Sequence, residues 1–91
     1  MKSAKDCWYM YIVLCGDQTL YTGIAKNLEK RLEEHNGSSN GAKYTRARRP
    51  VRLVYTEEFS SRSEAAKREY LLKRMDRAAK LKLIQERVES L

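Results

Sequence analysis

Two tyrosines, an arginine, a histidine and a glutamate stand where side chains of their types can act on a phosphate. Tyr11 lies in an aromatic and β-branched run, Trp8 to Cys15, and Tyr21 in the shorter run after a Gly16-Asp17 turn. A hairpin brings the two phenols near each other, and two buried hydroxyls can line a polar pocket on a sheet. Strands favour tyrosine and the chain has six, so sheet packing is the ordinary account of both. Arg31 borders the stripe formed by Leu28 and Leu32; its planar fork suits phosphate oxygens, and a snorkelling stem at the core's rim is the alternative. His35 follows one turn later, as a proton or phosphate contact or as a helix-end residue favoured by the macrodipole. Glu69 lies about 40° from Ala65 and about 60° from Leu72 around a helix, at the edge of its apolar sector. A carboxylate there wants a partner, either Lys73 at i+4 or a hard cation such as Mg²⁺.

The charge distribution adds a second candidate region. Nineteen Lys and Arg against twelve Asp and Glu leave a net charge of +7 on 91 residues. Residues 41–52 hold Lys43, Arg46, Arg48, Arg49 and Arg52 with no acid, whereas residues 1–40 balance to zero. Such a run points to a polyanion, with Lys43, Arg46, Arg48 and Arg49 on backbone phosphates and Tyr44 stacking on an unpaired base. Cys7 and Cys15 sit at the ends of one strand and cannot bridge, and a single His argues against a Cys/His zinc cage. No apolar run approaches the ~20 residues of a membrane helix, and the polar start shows no secretory pattern. A cytoplasmic monomer without membrane contact is the expectation.

These residues need elements to position them. The first strand, 8–15, is expected at the sheet centre, followed by a hairpin arm over 19–23. Asn27 is expected to cap a helix over 28–35, stopped by Asn36-Gly37. Residues 37–49 read as a polar loop. A third strand over 51–56 is expected to place Val51, Leu53 and Tyr55 on one face. Ser61 and Glu64 have capping-box spacing for a helix to about Met75. Asp76 is expected to cap a last helix to about Glu89, with Leu81, Ile84 and Val88 inward. The order β-β-α-β-α-α implies a compact α+β domain with helices flanking a three-stranded antiparallel sheet.

Taken together, the motifs resemble the GIY-YIG nuclease superfamily, in particular its small single-domain bacterial YhbQ-like group. Tyr9-Met10-Tyr11 stands at the first tripeptide and Tyr21-Thr22-Gly23 at the second. Arg31 falls ten residues after Tyr21, His35-Asn36 ends the helix, and Glu69 sits in Lys67-Arg68-Glu69-Tyr70. Gly41-Ala42-Lys43-Tyr44-Thr45 and Arg48-Arg49-Pro50-Val51 are similar to the group's loop and third strand. The first tripeptide lacks its glycine, and Ile24 follows Gly23 where repair-type members often carry lysine. The resemblance covers about residues 8–85 of a single 1–91 domain. It implies a metal-dependent DNA endonuclease: Glu69 holds Mg²⁺ or Mn²⁺, Arg31 stabilises the transition state, Tyr11 acts as base, and Tyr21 and His35 assist. DNA is the expected partner and RNA the second candidate, with a protein partner one route to specificity. A nucleic-acid-binding module that keeps the fold without turnover is the alternative.

Overall fold

The computed structural model describes residues 7–37 and 41–89. Its elements are β1 (Trp8–Leu14), β2 (Leu20–Ala25), α1 (Leu28–Gly37), α2 (Lys43–Arg46), β3 (Arg52–Phe59), α3 (Arg62–Lys73) and α4 (Arg77–Glu89). The three strands form one antiparallel sheet in the order β2-β1-β3, so the aromatic and β-branched run is the central strand, as expected. The expected α+β arrangement, a three-stranded sheet with flanking helices, is the one observed.

Alternation along β1 divides the core. Tyr11, Val13 and Cys15 face Leu28 and Leu32 of α1, with Ala25, Val51 and Tyr21 beside them. Met10 and Ile12 point the other way, onto Leu72 of α3 and Leu83 and Ile84 of α4. Each fully buried large apolar side chain of this second face contributes about 1.5–3 kcal/mol. The helices start where side chains satisfy their first amides: Asn27 Oδ1 accepts from Lys30 N, Ser61 Oγ from Glu64 N and Asp76 Oδ1 from Ala79 N.

Three expectations fail, each for a local reason. The stretch read as a loop over 37–49 contains the single helical turn α2, begun by Thr45 N and Arg46 N bonding Ala42 O; residues 38–40 of that stretch lie outside the described residues. The third strand runs three residues past Thr56, and Val51, Leu53 and Tyr55 do not share a face. Ile12 pairs with Tyr55 but Val13 with Leu53, so a bulge inserts Val54 and reverses the alternation. Val51 therefore joins the α1 face and Tyr55 the α3 face. In α4 the inward stripe is not Leu81, Ile84 and Val88: Leu81 and Val88 are exposed. The stripe is Lys80, Leu83 and Ile84, with Lys80 Nζ donating to Thr22 Oγ1, and the exposed Arg87 lays its guanidinium over Tyr55. Long cationic side chains bury their stems and supply part of the apolar face, which a hydropathy pattern misses.

Candidate active site

The α1 face of the sheet carries a buried polar chain. Tyr11 is 2% exposed, and its register partner on β2 is Gly23. A Cβ at Gly23 would stand 2.5 Å from the Tyr11 hydroxyl, so the phenol lies across β2 only because that residue has no side chain. Tyr21 pairs with Val13, which makes it the diagonal neighbour of Tyr11 on the same face. The last turn of α1 then brings His35, fully buried, between the two rings: its centroid is 5.8 Å from Tyr11 and 5.5 Å from Tyr21, edge-on to both.

Hydrogen bonding fixes how His35 is protonated. Its Nδ1 lies 2.7 Å from Thr45 Oγ1, and its Nε2 lies 2.7 Å from the Tyr11 hydroxyl. The Thr45 hydroxyl donates to Ala42 O at 3.0 Å, so it can only accept from His35. Nδ1 therefore carries the ring proton and Nε2 accepts from Tyr11. The order of donation is Tyr11 to His35 to Thr45 to the backbone. Burial, aided by the Arg31 and Arg49 charges, pulls the His35 pKa down to about 4, so the imidazole is neutral at neutral pH. Burial pushes Tyr11 up to about 12, against a hydrogen bond and the positive charge from Arg31. The guanidinium beside this phenol favours its ionisation but is outweighed by desolvation.

Arg31 is half-buried, with Nη1 2.9 Å from Glu34 Oε1 and a second attachment to the Tyr11 hydroxyl. Glu69 is close enough to raise Tyr11 electrostatically. Its Oε2 lies 3.1 Å from Lys73 Nζ, and that ammonium stands 5.7 Å from the centre of the Tyr21 ring. The i+4 ion pair read from the sequence and the position beside the tyrosines are thus both present. No three His, Cys, Asp or Glu side chains cluster among the described residues. A single carboxylate does not make a zinc cage, but it suits a hard cation that completes its shell with water and phosphate oxygens.

The basic stretch separates into two groups. Lys43 and Arg46 are exposed on α2. Arg48 and Arg49 turn towards the protein. The Arg48 guanidinium covers Tyr44 at 3.9 Å, donates to Tyr44 O and pairs with Asp17 at 3.0 Å. Tyr44 stacks in turn on Tyr21, at 5.6 Å and 25°. Arg49 donates from Nε to His35 O at 2.6 Å and from Nη2 to Glu34 O at 3.3 Å, capping the carbonyl end of α1.

Two positioning residues escaped the sequence reading. Thr45 is fully buried and orients His35, but a helix of four residues has no periodicity that could reveal it. Asn36 was read only as a helix stop. Its amide bonds both Val51 N (2.7 Å) and Val51 O (2.9 Å), tying the end of α1 to the residue before β3. A surface groove of about 560 Å³ lies on α3 against Ser63, Ala66, Lys67, Tyr70 and Leu71 and includes none of the site residues.

Comparison with known proteins identifies the family. Residues 7–82 match the GIY-YIG catalytic domain. The chain is 58% identical over 81 residues to a UPF0213 protein of Staphylococcus saprophyticus, covering 89% of this chain and 98% of that one. It is 52% identical over 80 residues to a UPF0213 protein of Desulfotalea psychrophila, covering 88% and 73%. The solution structure of the UPF0213 protein BH0048 from Bacillus halodurans superposes with a TM-score of 0.56 at 42% identity, covering 87% of this chain and 83% of that one. That of the protein EF2693 from E. faecalis gives 0.62 at 40%, covering 90% and 86%. With the family's catalytic domain matched over most of its length, this chain belongs to the GIY-YIG family.

Proposed function

We propose that the domain is an endonuclease that hydrolyses phosphodiester bonds in DNA, using Mg²⁺ or Mn²⁺ held by Glu69. The observation that carries this reading is the directed chain Tyr11–His35–Thr45, with Arg31 at the Tyr11 oxygen and Glu69 beside it. Because Tyr11 donates its proton to His35, its oxygen keeps lone pairs for a water molecule. A phenol near pKa 12 is no tyrosinate at neutral pH, so it works as a relay: Tyr11 takes the water's proton while passing its own to His35 Nε2. His35 accepts that proton only if its pKa rises. A phosphate paired with Arg31 acts in that direction: burial is the first cause of the depression and stays, but the Arg31 charge is the second and is offset. Arg31 must then exchange Glu34 for the phosphate and offer its fork to the charge of the transition state. When bound, the cation supplies Lewis-acid charge to a non-bridging oxygen and to the leaving oxygen.

Two observations favour a second reading, a binding module without turnover. Lys73 already neutralises Glu69, and desolvation opposes ionisation of Tyr11. A cleavage assay separates the two. Supercoiled plasmid, single-stranded DNA and branched DNA are incubated with Mg²⁺, Mn²⁺ or EDTA, beside Glu69→Ala and Arg31→Ala. Metal-dependent nicking that both variants lose supports the nuclease. Absence of nicking with a salt-sensitive gel shift selects the module, and cutting that persists in the variants rejects the assigned site.

A further inference from the structure

Arg77 and Lys80 of α4 were not among the nucleic-acid contacts read from the sequence, yet they line a cleft of their own. Thr19 and Leu20, at the start of the edge strand β2, face Arg77 and Lys80 across an open cavity of about 220 Å³. Lys80 is half-buried, and its Nζ has Thr22 Oγ1 as a neutral partner at 3.3 Å. Its pKa is pushed down, first by burial and then by Lys73. The acids nearest along the chain are engaged: Asp17 pairs with Arg48 and accepts from Thr19, Asp76 Oδ1 accepts from Ala79 N, and Glu69 pairs with Lys73. Two cations line the cleft, a third acts on it from Lys73, and no carboxylate pairs with Lys80 or Arg77 among the described residues. An arrangement of this kind is unfavourable until an anion enters.

We propose that this cleft is a second phosphate-binding site, separate from the 43–49 stretch, holding a backbone phosphate of the same nucleic-acid strand that engages the Tyr11–His35 pocket. Continuity of charge selects a strand over a small anion. Lys73 stands over Tyr21 and also acts on Lys80, so basic side chains continue from the candidate active site to Arg77, with Glu69, paired to Lys73, the acid among them. Thr19, Thr22 and the flexible lysine stems offer no pattern that distinguishes bases, so the site holds backbone in a sequence-independent way.

This inference rests on the nucleic-acid reading above, and a binding measurement tests it apart from catalysis. A short fluorescein-labelled single strand is titrated by anisotropy in EDTA, between about 50 and 200 mM NaCl, where backbone contacts register as salt dependence. Lys80→Gln, which can keep the bond to Thr22, and Arg77→Gln are each expected to weaken binding severalfold. Each should also flatten the log K against log [salt] slope by ~0.7, and the double variant by about twice that. Lys82→Gln removes the same charge from an exposed position on the opposite side of α4 and is expected to leave the slope unchanged. If the cleft variants behave like Lys82→Gln while the wild type binds, the second site falls and the nuclease reading stands. If the wild type does not bind at the lowest salt, the nucleic-acid reading falls with it. Melting curves accompany every variant; should Lys80→Gln fail to fold, the exposed Arg77→Gln carries the test.

Discussion

Tyr11 and Ile12 are adjacent in the chain and almost equally inaccessible, 2% and 0% exposed, yet they belong to two different environments. On the α1 side of β1, Tyr11 enters a polar chain in which each donor has one acceptor. On the α3 and α4 side, Ile12 and Met10 join an apolar cluster with Tyr55 and Leu72. The first face spends its burial on holding an imidazole neutral and a phenol protonated. The second holds the sheet together. A strand of period two is what allows one seven-residue segment to serve both, because alternate side chains share a backbone and no neighbours.

That separation predicts variants that fail in different ways. The largest effect is expected from Tyr11→Phe, which keeps the ring and removes the relay. Its cleavage rate should fall about 10²–10⁴-fold. Its stability should fall by only about 1–3 kcal/mol, the cost of leaving His35 Nε2 buried without a donor. Wild-type cutting by this variant would remove Tyr11 from the chemistry. Leu72→Ala is the opposite case. A fully buried leucine lost from the apolar face costs about 2–5 kcal/mol, read from urea midpoints. Its cleavage rate per folded molecule should match the wild type; a defect beyond the folded fraction would mean that the two faces are coupled.

Acid should distinguish the faces next. In the unfolded chain His35 takes up a proton near its ordinary 6.5, and in the folded chain near 4. Between those values the unfolded state binds more protons, so stability is complete above the upper one and is lost as pH falls through the window. The whole window is worth on the order of 3 kcal/mol. Carboxylates such as Glu57, whose pKa is lowered, add their own loss at the acid end, so the comparison belongs between pH 7 and 5. There, His35→Gln should flatten the dependence of the urea midpoint on pH, whereas Leu72→Ala should shift the whole curve down without changing its shape. An equally steep curve in His35→Gln would assign the dependence to another group.

How much of this could be read beforehand differs between the faces for physical reasons. The order of the three strands and three longer helices, the central strand and the caps of those helices are local signals, a β-branched run or an Asn, Ser or Asp at a fixed offset, and they survive in the fold. Tyr11, Tyr21, Arg31, His35 and Glu69 were legible as types and spacings. Their hydrogen bonds were not, because the acceptor for His35 Nδ1 comes from ten residues away in the chain, on another helix. The basic run at 43–49 announced a charge but not its direction, and Arg48 and Arg49 use theirs on Tyr44, Asp17 and the end of α1. On the apolar side, the bulge at Val54 and the half-buried stem of Lys80 defeated simple periodicity.

The smallest predicted effect probes the least legible residue. Thr45 accepts from His35 Nδ1 and donates to Ala42 O, so it sets the direction of the whole chain. Thr45→Val retains the shape and β-branching of the side chain and deletes both bonds, at a cost of about 1–3 kcal/mol. Thr45→Ser keeps the hydroxyl and should preserve the tautomer. Nitrogen-15 chemical shifts of the imidazole report which nitrogen carries hydrogen. The wild type and Thr45→Ser should show Nδ1–H alone, and Thr45→Val a mixture with Nε2–H. In the second tautomer Nε2 becomes a donor, and Tyr11 can only accept from it. The phenol then has no acceptor for its own proton, and the relay stops with every catalytic side chain still in place. A pure Nδ1–H signal in Thr45→Val would show instead that burial between the two rings, not Thr45, selects the tautomer.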